Sequence, residues 1–228
     1  MKYPLQVSTI IPAYNAESFI SDCLDRVLAQ TEPSAECIVV NDGSTDRTRE
    51  CVEPYLSRIL YLEQDNQGIS AARNLAIQHA KGRYLNLVDA DDLIPVNRLE
   101  VMRSALESTG ADLVFGHMQQ FKDEAPTVLS DPQPAVLPGG SMFPREVFDQ
   151  VGPFDPDVKM AEFLDWLLKF RERNLRETVI PDVVLFRRIH SDNLGKRMKE
   201  NRIAYVRALK ASMDRKRANS AGSSESSG

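Results

Sequence analysis

Short apolar runs alternate along this chain with longer segments whose apolar residues recur every three or four positions. The stretch VSTIIPAYN reads as a buried strand ending in a turn. In residues 17–30, Phe19, Ile20, Cys23, Leu24, Val27 and Leu28 fall on one helical face. ECIVV is a second strand, and NDGSTD behind it is a turn and helix start with Ser44 as the expected N-cap. ILYLEQ gives a third strand, ISAARNLAIQHAKG a helix that Gly82 should end, and YLNLV a fourth strand. Strand and helix in this rhythm predict an α/β fold with a mainly parallel central sheet, covered by helices on both faces.

Further on, NRLEVMRSALESTG predicts a helix and ADLVFGHMQQF a strand. Residues 125–138 hold four prolines and no helical period, which predicts a loop or extended connector. PREVFDQVG and AEFLDWLLKFRERN have helical spacing, ETVIPDVVLFRRIH reads as a strand, and a last amphipathic helix should cover 198–216. Residues 217–228 have too little apolar content to pack and should form a disordered tail.

Composition changes this picture little. The 228 residues carry a net charge of −5, which argues against a nucleic-acid binder. Basic residues crowd 187–217, where a patch facing an acidic partner or an anionic membrane surface is one reading and a solvated helix face the other. Cys23, Cys37 and Cys51 lack metal-type spacing and read as reduced core residues. The opening MKYPLQVSTII is too short an apolar run for a signal or a membrane span, so a cytoplasmic protein is expected.

The chemistry gathers where the strands end. In an open parallel sheet, ligands bind outside the carboxyl ends of the strands. Here the first four strands run into PAYN, NDGS, QDNQG and DADD. Asp89, Asp91 and Asp92 repel one another beside a buried strand unless a cation neutralises them. Clustered carboxylates suit Mn²⁺ or Mg²⁺ completed by substrate phosphates, and Arg73 would add a fixed cation nearby.

VSTIIPAYNAESFISDCLDRVLAQT, CIVVNDGSTDRT, NQGISAARNLAIQHAKGRYLNLVDADD and SMFPREVFDQVGPFDP, in this order across about residues 7–190, resemble family 2 glycosyltransferases of the GT-A fold. The resemblance implies a Rossmann-like sheet with a small C-terminal extension. It divides the chain into a nucleotide-sugar-binding half at 1–124, an acceptor-side part at 125–197, the helix at 198–216 and the tail at 217–228. It implies that Pro12, Ala13, Tyr14 and Glu17 line the base and ribose, that Asp42 reads a uracil ring, and that Arg73 lies near the diphosphate. Asp89 would face ribose or sugar and Asp91 the metal, with Asp92 in support. The expected reaction is hexosyl transfer from a nucleoside diphosphate sugar, a UDP-sugar foremost, with inversion at the anomeric carbon. The acceptor is a hydroxyl on a saccharide, a lipid-linked glycan or a peptide.

One position departs from the family. Inversion needs a base on the acceptor side, and the Asp usually found in an ED pair is here Phe163. Glu162 is the expected base, and Asp165, one helical turn on, is the alternative as base or acceptor binder. His190 matches a histidine able to reach the metal, or it is a structural hydrogen-bonder. Arg187 and Arg188 hold phosphate or flank the strand in solvent. Trp166 stacks on a sugar or packs in the core. Two other functions stand beside transfer. A sugar nucleotidyltransferase would want a glycine-rich, basic loop after the first strand, which PAYNAES lacks; a silent nucleotide- or glycan-binding module would not need the missing Asp.

Overall fold

The computed structural model describes residues 5–32, 35–122, 127–128, 130–190 and 198–225. Four strands, β1 (Leu5–Ala13), β2 (Ala35–Asp42), β3 (Leu60–Gln64) and β4 (Gly82–Leu87), lie parallel in the order β3-β2-β1-β4. Ile10 and Ile11 are both fully buried, as are Ile38, Val39 and Val40, so these strands are covered on both faces. That burial explains why they read as unbroken apolar runs rather than alternating ones.

The sheet then changes direction. β8 (Ser141–Pro144) runs antiparallel to β4, and β5 (Leu113–Lys122) runs antiparallel to β8. β9 (Glu177–Arg188) joins β5 in parallel from Leu113↔Glu177 to Phe121↔Arg188. The proline-rich connector contributes two short strands, β6 (Thr127–Val128) and β7 (Gln133–Pro134), both antiparallel to β5. It is therefore extended in part; residues 125, 126 and 129 of it lie outside the described residues.

Two apolar layers sandwich the sheet. On one face, α1 (Ile20–Leu28) and α4 (Arg98–Thr109) bury Ile20, Cys23, Leu24, Leu99, Met102 and Leu106. On the other lie α3 (Ile69–His79), α5 (Arg145–Val151) and α6 (Glu162–Glu172). Each fully buried Leu, Ile or Phe contributes about 1.5–3 kcal/mol. Trp166 sits at the centre of this second layer, with ring centroids 4.8 Å from Phe143, 5.7 Å from Phe154 and 6.0 Å from Phe163. Its Nε1–H donates to the Gly152 carbonyl at 2.9 Å. Trp166 is a core residue and not a sugar platform.

Cys23 and Cys37 are buried as expected, and burial pushes the Cys37 thiol up to about 12. Three local expectations change. Ser44 does not cap the next helix, α2 (Thr48–Val52); Asp46 Oδ1 accepts from the Thr48 N–H at 3.0 Å instead. Gly82 opens β4 rather than ending α3, and a side chain there would strike Ser8. The last helix, α7, runs Met198–Glu225, through most of the expected disordered tail. Its preceding turns are docked on α6 and no proline follows, so an existing helix only has to propagate. Residues 226–228 lie outside the described residues.

Candidate active site

The four strand ends meet along one edge, and side-chain to backbone hydrogen bonds lace them together. Asn15, at φ 48°, accepts from the Thr45 N–H at 2.8 Å, while Ser44 Oγ accepts from the Asn15 N–H at 3.0 Å. Ala16 N–H donates to Thr48 Oγ1 at 2.7 Å and Glu17 N–H to Asp46 Oδ2 at 3.0 Å. These bonds tie the end of β1 to the start of α2; a turn over 17–19 follows, and α1 starts at Ile20 and not at residue 17. Gly43 completes the second turn at φ +71°, where an added Cβ would lie 2.7 Å from the Asn66 nitrogen. No other residue fits both demands.

Of the residues expected at the base and ribose, Pro12 and Ala13 are buried at the end of β1, and Tyr14 projects with half its surface exposed. Glu17 forms an ion pair with Arg47 at 3.2 Å at the rim. Asp42 is turned inward. Its carboxylate accepts from Gln64 Nε2 at 2.7 Å and from the Gln67 and Gly68 N–H groups at 2.9 Å each. It therefore fixes the loop between β3 and α3.

The acids of DADD part in three directions. Asp89 Oδ1 accepts from Arg73 Nη2 at 2.7 Å. Asp91 Oδ2 lies 3.0 Å from His190 Nε2. Asp92 Oδ1 accepts from the Arg188 N–H at 2.9 Å. Burial raises the Asp92 carboxyl well above the ordinary carboxylate range, and Asp91 and Asp89 push it the same way. Like charges three residues apart thus survive by finding three separate partners.

Arg188 is buried rather than flanking the strand in solvent. Its Nε donates to the Asp91 carbonyl at 2.9 Å, Nη2 reaches Asp22 at 3.1 Å, and the guanidinium lies 5.1 Å from the Phe19 ring centroid. Arg188 ends β9 and His190 follows two residues on, so the close of one strand brings both to the DADD loop.

Across the crevice, α6 begins at Glu162. Arg73, 1% exposed, forks between Asp89 and Glu162 Oε1, the second contact at 2.9 Å. Its Nε has no partner among the described residues, and Phe154 lies beneath the guanidinium at 5.9 Å. Glu162 Oε2 makes no hydrogen bond among the described residues. Asp165 is not part of this group: it pairs with Lys169 at 2.7 Å and with Arg215 of α7 at 3.4 Å. Phe163 faces the core against Phe115 and Trp166. A cleft of about 690 Å³ between 151–156, α6 and Arg215 lies behind this arrangement and away from the strand ends.

Sequence spacing gave no hint of Arg98, the first residue of α4. It is fully buried behind the DADD loop. Its Nε donates to Asn86 Oδ1 at 2.9 Å, and its Nη atoms donate to the carbonyls of Gly139, Val184, Leu87 and Ser141. Burial draws this guanidinium down to about 9, with Asp92 and Asp89 pulling it back up.

Among the described residues no set of three His, Cys, Asp or Glu side chains converges as a complete metal cage. Asp91 and His190 nonetheless fit a divalent cation, since a carboxylate and an imidazole already share one point. Mg²⁺ and Mn²⁺ sites of this kind take their remaining ligands from water and substrate phosphates.

A mainly parallel α/β sheet with its polar strand ends gathered this way is the GT-A architecture. Solved structures similar to it include Staphylococcus aureus TarS 1-349 in complex with UDP-GlcNAc (TM-score 0.71, 23% identity, 83% of this chain and 60% of that one). Another is the mannosyltransferase PcManGT from Pyrobaculum calidifontis in complex with GDP-Man and Mn²⁺ (TM-score 0.67, 22% identity, 85% and 62%). Residues 8–152 match the family model described as Glycosyl transferase family 2. The chain is 40% identical over 188 residues to the uncharacterized glycosyltransferase RP339 of Rickettsia prowazekii, covering 74% of this chain and 59% of that protein. It is 34% identical over 182 residues to the uncharacterized glycosyltransferase EpsJ of Bacillus subtilis, covering 68% and 53%. The chain belongs to glycosyltransferase family 2. It spans less than two thirds of the length of these relatives.

Proposed function

We propose that this chain transfers a hexosyl unit from a nucleoside diphosphate sugar, in the first instance a UDP-sugar, to an acceptor hydroxyl with inversion. The observation that carries this reading is the fork of Arg73 between Asp89, at the donor strand end, and Glu162, at the head of α6. One buried cation thereby fixes a donor-side and an acceptor-side carboxylate relative to each other.

Glu162 serves as the base. Its Oε1 accepts from Arg73, and Oε2 is left to take the acceptor proton. Asp165 is occupied by Lys169 and Arg215, which supports a single displacement rather than a second carboxylate acting as nucleophile. Tyr14, Pro12 and Ala13 bound the base and ribose, and Asp42 faces the uracil edge while it holds its own loop. Asp89 orients the ribose or sugar. Asp91 and His190 would hold Mn²⁺ or Mg²⁺, which would supply Lewis-acid stabilisation of the leaving diphosphate. Neighbours of the same fold solved with UDP-GlcNAc, or with GDP-Man and Mn²⁺, support a nucleotide-sugar donor and a divalent ion. The acceptor is a saccharide, lipid-linked glycan or peptide hydroxyl, met in the cytoplasm or at the inner face of a membrane.

The test is Glu162→Gln. UDP release in the presence of acceptor should fall by about a hundredfold or more, with nucleotide-sugar affinity by calorimetry unchanged. Wild-type turnover in this variant removes Glu162 from the role. A second reading, a silent binding module, is favoured by Phe163 packing into the core where the family carries its Asp. Donor binding without UDP release from the wild-type protein, across a panel of acceptors, would establish that reading instead.

A further inference from the structure

α7 touches the rest of the molecule through a narrow stripe. Ala208 and Ser212 are buried, Ser212 Oγ donates to Glu172 at 2.5 Å, and Arg215 pairs with Glu172 at 2.9 Å. These positions are three or four residues apart, so they form one line along the helix. Beside and opposite this stripe, other side chains of 202–217 face outward. Ile203, Tyr205, Val206, Leu209 and Met213 are all exposed, Val206 to 64% and Met213 to 56%. Half of the exposed large apolar side chains among the described residues lie within this one stretch of eleven. Scattered single apolar residues are ordinary on a surface, but a run along one helix face is not.

The charge along the helix is equally uneven. Over 198–217 Lys and Arg outnumber Asp and Glu seven to two, in a chain whose net charge is −5. Arg202, Lys210 and Arg217 are exposed between the apolar residues, and Asp214 is the acid exposed beside them. A second copy of the same face would bring these cations against one another with Asp214 as the sole answering charge in 202–217. A polyanion such as nucleic acid would leave the leucine and methionine without an apolar partner. An anionic bilayer surface satisfies both: aliphatic and aromatic groups enter the headgroup boundary while Lys and Arg extend their stems and keep their charges among the phosphates.

We infer that α7 is a membrane-surface helix that docks the protein on bilayers rich in anionic lipid. No helix among the described residues is long and apolar enough to cross a membrane, so the contact is with the surface. The inference does not depend on the transfer reaction. It bears on it, because Arg215 of α7 also pairs with Asp165 on α6, the helix whose first residue is Glu162.

The experiment is co-sedimentation of the full chain with phosphatidylcholine vesicles, with and without phosphatidylglycerol. Wild-type protein should pellet with the anionic vesicles at least about tenfold better than with neutral ones, and lose the preference in high salt. Leu209→Ser with Met213→Ser should abolish pelleting, and Lys210→Gln should weaken it about fivefold. None of these exposed positions supports the fold, and unchanged melting curves will verify that. Absence of pelleting overturns the inference, as does equal pelleting of the Ser variant. A concentration-dependent dimer by light scattering, without vesicle binding and lost in the Ser variant, overturns it in favour of a second copy.

Discussion

Two arginines are buried in this molecule to the same 1% exposure, and their surroundings are opposites. Around Arg73 lie two carboxylates, an aromatic ring and an Nε with no partner among the described residues. Around Arg98 lie an amide oxygen and four backbone carbonyls drawn from β4, β8, β9 and the turn before β8. Carbonyls cannot move without moving the sheet, so Arg98 is a tie between β4 on one side and β8 and β9 on the other. Carboxylates on a loop and at a helix start can exchange partners when a substrate arrives, and this is why the proposed reaction gives Arg73 a part in the site. Burial alone does not distinguish structure from chemistry; the kind of acceptor does.

The sharpest break comes from Arg98→Met. It strands five acceptors in the core, and the protein should lose about 3–5 kcal/mol in urea unfolding or fail to accumulate. A loss under about 1 kcal/mol would mean the carbonyls find other partners and the tie is illusory. Phe163→Asp comes next and probes the Arg73 side. Restoring the family's acid places a carboxylate among Phe115 and Trp166, at a cost of about 3–5 kcal/mol and with no gain in UDP release. Faster turnover in that variant would show that the helix can turn the new side chain outward. Arg73→Lys keeps the charge but cannot fork. Turnover should fall by about a hundredfold while the melting temperature moves by a few degrees, the reverse of the Arg98 result.

The smallest effect concerns Asp92, which lies between the two environments. Its folded-state pKa is raised, so between the unfolded and folded values the native state binds more protons. Stability from this group is present at low pH and declines as pH rises through the folded value. Asp92→Asn retains an oxygen for the Arg188 N–H and removes the titration. With chelator present, urea melts should show the variant gaining about 1 kcal/mol on wild type at pH 7 relative to pH 4. An equal difference at both pH values would place the charge in water.

The strand and helix rhythm was legible because the short apolar runs of β1, β2 and β4, such as Ile10–Ile11, Ile38–Val40 and Leu85 with Leu87, are buried on both faces. The convergence of four polar strand ends followed from parallel topology, and the structure laces those ends together. What the sequence could not disclose was which acid meets which base. Asp165 stands one turn from Glu162, yet it faces α7, because Arg215 arrives from fifty residues away. Ser44 and Asp46 both resemble caps, and the choice between them depends on Asn15 across the crevice. Arg98 sits in an ordinary helical pattern, and nothing in its neighbours' identities announces that its head is enclosed by carbonyls. Long-range partners decide such cases, and a local period does not carry them.

The partners of the DADD loop arrive late in synthesis: Arg188 and His190 lie 96 to 99 residues downstream of the aspartates they meet. A nascent chain emerging from the ribosome can assemble β1 to β4 early, since their register is complete by residue 87. Arg73 is then already present to meet Asp89, while Asp91 and Asp92 wait for His190 and Arg188 until β9 slots in beside β5. Vectorial folding thus makes the docking of β9 on the sheet and the pairing of Asp91 and Asp92 one event.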